Sequence, residues 1–409
     1  MKFIQLIPLA FLIGHADANF LNLSLRRAHS LAKTHSHSLA HDLRLAFGGV
    51  LLARSNYHSQ QPIIYCKPYG KVGNGANNAT SSAGSGTKTT GASGPSPTTS
   101  ASPWKLAESH RGTNFFDAWS FFVGSDPTNG IAQYIDHNTA QSNGLLEINS
   151  AGHAVMRVET TPNVTNTRQS IRITTQSHWN GGLFIMDAVH MPTGCGTWPA
   201  FWTNGPTWPI TGEIDIIEGV NDYTNNQATV HTGIGCTIAS ADSNVLSISG
   251  AVIGGTNCAA ATTGNQGCGI RANTSNSFGS GFNNNGGGVY AMKWDSTGIS
   301  VYFFPRNGVP SDIVAGAPHP DTWGLPQARW PATSCNPFNF FKNHSAIFDT
   351  TLCGDWAGGV WSGSGIPGQE QSCAARTGFS TCEAYVRASG SAFNEAYWEI
   401  SSVSIYQQR

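Results

Sequence analysis

The chain has 409 residues, above the ~250–300 residues at which a single core stops growing, so one large domain with additional segments is expected. Only 11% of its residues are charged and the formal net charge is −1. That balance excludes the basic face of an electrostatic nucleic-acid binder, and equally a charge-rich disordered chain or long helical bundle. Glycine (47) and proline (20) are abundant, and both favour many short strands joined by tight turns.

In chain order, residues 1–18 read as a secretory signal peptide. Lys2 supplies the positive charge, Phe3 to Ile13 the apolar run and Ala16-Asp17-Ala18 the small-residue cleavage site. The run is shorter than the ~18 residues a membrane span needs, so secretion to the extracellular space without stable membrane association is expected. Residues 19–72 carry His29, His35, His37, His41 and the dibasic pair Arg26-Arg27. They read as a propeptide-like or poorly ordered segment, with a histidine metal tract as the alternative. Residues 73–103 are a Gly/Ser/Thr-rich linker with nothing to bury. The folded domain is therefore expected at residues 104–409.

Within that domain the runs 153–159, 170–175, 182–189, 301–304 and 397–406 are β-branched or aromatic and bounded by turn residues. No long helical apolar stripe interrupts them, which indicates an all-β sandwich or barrel. Cys66 stands apart. Cys195, Cys236, Cys258, Cys268, Cys335, Cys353, Cys373 and Cys382 form an even set, consistent with up to four disulfides in an oxidising compartment, their pairing left open. Five N-x-S/T sequons, at Asn22, Asn78, Asn163, Asn273 and Asn343, fit a glycosylated secreted protein.

The most informative segment is Gly212-Glu-Ile-Asp-Ile-Ile-Glu-Gly219. On a strand, Glu213 and Asp215 share one face, and Glu218 points the other way. A β-bulge at Ile216 or Ile217 restores the phase and gathers all three acids on one surface. Crowded acids raise at least one pKa, as a general acid beside an ionised nucleophile requires. A solvated acidic face and a calcium site are the bland alternatives, although a straight strand lacks the curved oxygen loop calcium favours. Trp198, Phe201, Trp202 and Trp208 precede the acids closely. Such rings stack on sugars; Phe201 suits the core, Trp202 suits either place, and Trp198 and Trp208 lie in loop-like, proline-flanked sequence.

These residues, with Thr229-Val-His-Thr-Gly233, Asn285-Gly-Gly-Gly288, Phe303-Phe-Pro-Arg-Asn307, Asp321-Thr-Trp-Gly324, Cys353-Gly-Asp-Trp-Ala-Gly358 and Ala396-Tyr-Trp-Glu-Ile400, resemble the glycoside hydrolase family 16 laminarinases, secreted fungal endo-1,3(4)-β-glucanases. The resemblance covers about residues 114–407. It implies a concanavalin A-like β-jelly-roll sandwich of two antiparallel sheets with a concave substrate cleft. It also implies Glu213 as nucleophile, Glu218 as acid/base, Asp215 assisting, and a retaining double displacement on a β-glucan polysaccharide. His231 falls near the acid pair, and Trp198, Trp208 and Trp323 match aromatic, substrate-binding positions. No cofactor motif and no metal ligand set are readable, and a monomer is expected. Related members transfer glucan chains, so a cell-wall transglycosylase using the same acids is the alternative. A non-catalytic glucan-binding lectin is the other.

Overall fold

The computed structural model describes residues 101–409. The expected signal (1–18), the 19–72 segment and all but the end of the 73–103 linker lie outside the described residues.

Two eight-stranded antiparallel sheets dominate. The first runs β17 (Ala328–Pro331), β16 (Gly298–Pro305), β15 (Gly288–Asp295), β9 (Gly182–His190), β19 (Tyr397–Gln408), β6 (Ala154–Arg157) and β5 (Leu146–Ile148), with β1 (Trp104–Arg111) also paired to β19. The second runs β13 (Ala251–Ile253), β14 (Cys268–Arg271), β12 (Gln227–His231), β11 (Glu213–Glu218), β10 (Thr197–Asn204), β18 (Ser345–Leu352), β8 (Arg172–Thr175) and β2 (Trp119–Phe121). A small third sheet joins β3 (Gly124–Ser125), β4 (Ala132–Tyr134) and β7 (Arg168–Ser170). The run expected as one strand at 170–175 is thus two: Ile171 separates β7 from β8, and each pairs in a different sheet.

Period-two alternation explains the layers. On β9, Phe184 and Met186 enter the core between the sheets, while Leu183 and Ile185 join an apolar cluster on the outer face of the first sheet. From the second sheet Phe201, Ile214, Ile216, Ile217 and Phe348 fill the same core. Phe348 packs edge-on against Trp398 of β19 at 5.3 Å between ring centres, which ties one sheet to the other.

Eight cysteines form four disulfides, Cys195–Cys373, Cys236–Cys335, Cys258–Cys268 and Cys353–Cys382. The first and last bind a short helical segment after β18 to the sandwich, over a second apolar cluster that includes Leu352, Trp361, Val386 and Phe393. Among the described residues no helix is long and apolar enough to cross a membrane.

Candidate active site

The acids stand on β11, and one irregularity aligns them. Phe201 pairs with Ile217 but Trp202 pairs with Asp215, so Ile216 is the extra, bulged residue. Consequently Glu218, Asp215 and Glu213 lie opposite Ala200, Trp202 and Asn204, three alternate residues of β10. All three acids therefore share the face turned away from the core, while Ile214, Ile216 and Ile217 are fully buried beneath.

A bulge leaves main-chain groups without ladder partners. Here the buried Asn226 side chain supplies both: its Nδ2 donates to Ile216 O at 2.9 Å and its Oδ1 accepts from Glu218 N at 3.0 Å. On the other flank, the loop between β10 and β11 closes on itself through Thr211 N to Thr207 O at 2.9 Å and Gly205 N to Gly212 O at 3.1 Å. Gly212 has φ +78° and backs onto Phe341, where a Cβ would come within 2.3 Å of the ring. That turn folds Trp208 back over Glu213.

Each glutamate consequently receives an indole N–H. Trp198 Nε1 donates to Glu218 Oε1 at 2.8 Å, and Trp208 Nε1 donates to Glu213 Oε2 at 2.5 Å. Asp215, only 3% exposed, sits between them. His231 lies opposite Glu213 in register, with Nε2 3.4 Å from Asp215 Oδ2, an ion-pair distance without hydrogen-bond geometry.

Burial, then the charges of Glu213 and Asp349, hold the Asp215 carboxyl well above the usual carboxylate range. Burial and the Asp215 charge likewise push Glu218 well up, against the opposing pull of His231 and the Trp198 hydrogen bond. A protonated carboxyl at Glu218 is what proton donation requires.

Trp198, Trp208, His231 and the three acids therefore come together. Trp202 is half-buried on the same face, while Phe201 is core. Trp323 is not brought to this surface. Its ring meets Tyr302 and Phe304 edge-on at 5.3 and 5.4 Å in the cluster on the outer face of the opposite sheet. Its Nε1 donates to Asp312 at 2.8 Å. Three neighbours of the acids escaped the sequence reading: Asn226, Arg172 and Asp349. Arg172 and Asp349 are each the single charged residue of a strand, a signal that does not say which strands pair. Asn226 acts on main-chain atoms and leaves no pattern.

Among the described residues, the cluster of potential metal ligands is Cys195, Asp222 and Cys373. Both sulfurs are spent in one disulfide, so no thiolate is offered there.

A family profile described as an XgeA-like, catalytic glycoside hydrolase family 16 domain matches residues 119–406. A probable glycosidase of Schizosaccharomyces pombe is 41% identical over 314 residues, 76% of this chain and 71% of that protein. The endo-1,3(4)-β-glucanase xgeA of Emericella nidulans is 38% identical over 75% of this chain, which spans 48% of that protein's length. Laminarinase 16A from Phanerochaete chrysosporium, solved with β-glucans in both donor and acceptor sites, superposes with a TM-score of 0.67 at 38% identity, covering 74% of this chain and 99% of that one. An elongating family 16 β-1,3-glucosyltransferase does so at 0.66 and 38%, covering 74% and 100%. The two packed sheets are the β-jelly roll of those structures, and with a match running from Trp119 to Tyr406 this chain belongs to glycoside hydrolase family 16.

Proposed function

We propose that the chain is a secreted endo-1,3(4)-β-glucanase that cleaves β-1,3 and mixed-linkage β-glucans with retention of configuration. The observation that carries this reading is the bulge at Ile216, which gathers Glu213, Asp215 and Glu218 on one face with an indole donor on each glutamate. Glu213 attacks the anomeric carbon while Glu218 gives its proton to the departing glycosidic oxygen, leaving a glycosyl ester on Glu213. Glu218, now ionised, takes a proton from water, whose oxygen attacks the same carbon and frees Glu213. Burial first, and then the charge of Asp215 when that wedged carboxyl is ionised, favour the protonated form of Glu218 before the first step. Trp198, Trp208 and Trp202 offer rings along the same face for stacking on glucose units. Relatives named endo-1,3(4)-β-glucanases support the substrate class. Four disulfides support an oxidising, extracellular setting.

A second reading, transfer of the glycosyl unit to another glucan, draws on the similarity to a chain-elongating glucosyltransferase. It differs only in what attacks the ester: a sugar hydroxyl replaces water. Product lengths from laminarin, lichenan and agarose followed over time separate the readings. Short gluco-oligosaccharides appearing early from laminarin and lichenan are expected, with Glu213→Ser abolishing turnover and retaining glucan binding. Products longer than the donor favour transfer. Binding and turnover lost together in Glu213→Ser would mark Glu213 as a structural acid instead.

A further inference from the structure

The strand β18, SAIFDTTL, carries a single charged residue. Asp349 pairs with Ala200 on one side and Arg172 on the other, and Ala200 pairs with Glu218. Directly opposed residues share a face, so Asp349 stands on the face of the acids, two strands from Glu218. It is only 6% exposed. Its Oδ2 accepts from Trp202 Nε1 at 3.1 Å. The Arg172 guanidinium lies 5.0 Å over the Trp202 ring and 5.1 Å over that of Phe122. Trp202, which is opposite Asp215 in register, is thereby held at its edge by a carboxylate and on a face by a cation.

The double displacement has no use for Asp349. A buried carboxylate is costly, and a neutral amide would accept the indole N–H as well, so the charge itself calls for an account. The groups that face it are Arg172 on β8, Asp126 after β3, Tyr134 on β4, and Glu213 and Asp215 on β11. Burial raises the Asp349 carboxyl to about 7; Asp126 and Glu213 add to the rise, and Arg172 and the Trp202 hydrogen bond oppose it. The Asp349 charge in turn helps to hold the Asp215 proton.

We propose that Asp349 is a positioning residue for the glucanase reaction: it fixes Trp202 as a rigid wall beside Asp215 and couples one further ionisable charge to the catalytic acids. This inference rests on the glucanase reading above. It assigns Asp349 two separable duties, an acceptor for the indole and a charge felt by the acids.

The test is the pH dependence of kcat/KM on laminarin for the wild type, Asp349→Asn, Asp349→Leu, Trp202→Phe and the Trp202→Phe, Asp349→Leu pair. Asparagine keeps the acceptor and removes the charge. KM should stay within about twofold, while the acidic limb of the profile moves down by roughly half a pH unit, since Asp215 then gives up its proton at lower pH. Leucine removes both, and KM should rise about fivefold, the effect of losing one ordinary hydrogen bond. On the Trp202→Phe background, which keeps a ring but lacks the N–H, Asp349→Leu should no longer change KM. An unmoved profile in Asp349→Asn overturns the inference, as does an undiminished KM effect of Asp349→Leu in the absence of the indole N–H. Should the leucine variant not fold, the asparagine profile alone decides. A wild type inert on laminarin and lichenan would instead sink the glucanase reading itself.

Discussion

Two glutamates on one strand acquire different characters from their neighbours. Glu218 is partly buried beside Asp215, and both facts favour its protonated form; the Trp198 hydrogen bond and His231 favour the ionised form and lose. In its proposed role of general acid it works only while protonated, so activity should fall as pH rises through its pKa. Trp198→Phe removes one of the opposing influences. Glu218 should then keep its proton to higher pH, moving the basic limb of the kcat/KM profile up by roughly half a unit. The freed carboxyl is also less well aimed, so kcat should fall several-fold at the optimum. A basic limb that stays in place or moves down would mean that the indole does not stabilise the ionised acid. Trp323 teaches the converse lesson at the same scale. A tryptophan in a proline-flanked loop reads equally well as a sugar platform or as a lid over apolar rings, and only the contacts with Tyr302, Phe304 and Asp312 decide for the lid.

A strand that kept strict alternation would send Glu218 into the core, so the element that makes the site is the irregular step in β11. The spacing of acids and isoleucines made the need for a bulge legible in the sequence, down to a choice between Ile216 and Ile217; the pairing with β10 selects Ile216. What holds the bulge was not legible. Asn226 lies where the sequence reads Asn225-Asn226, a turn-like dipeptide, and its partners are the carbonyl of Ile216 and the amide of Glu218. Asn226→Ala leaves both main-chain groups buried without those bonds, at a cost of about 1–3 kcal/mol. Thermal melting should register that loss, and kcat should fall by more than KM rises, because the amide that moves belongs to the proposed proton donor. Lower stability with unchanged kcat would show that strand pairing alone keeps the acids aligned. The meeting of Trp202 with Arg172 and Asp349 was hidden for another reason: the three are neighbours across β8, β10 and β18 but far apart along the chain, and one sequence does not state which strands pair.

Across the whole molecule, alternation and turn residues sufficed to read an all-β sandwich or barrel, which the family resemblance narrowed to a sandwich, and the even cysteine count to read up to four bridges, while their pairing needed the fold. Two bridges concern the site. Cys353–Cys382 and Cys195–Cys373 fasten the segment after β18 near the starts and ends of the strands that carry Trp198 and Glu218. From that segment Trp356 meets Trp198 edge-on at 5.8 Å. Replacing Cys353 and Cys382 by serine opens a loop of 29 residues, which should cost about 3 kcal/mol in stability. It should also lower kcat/KM at temperatures where the variant remains folded, as Trp198 loses its backing; unchanged kcat/KM there would limit the bridge to stability. A last consequence comes from the opposite sheet. Trp104 on β1 pairs with Gln408 on β19, and Arg409 N bonds to Pro103 O at 2.9 Å, so the first and last described strands lie side by side, in the layer that does not carry the acids. Joined through those two strands to a surface loop of a host protein, residues 101–409 should keep the acid-bearing face clear of the seam; a chimera that folds but loses activity would contradict this.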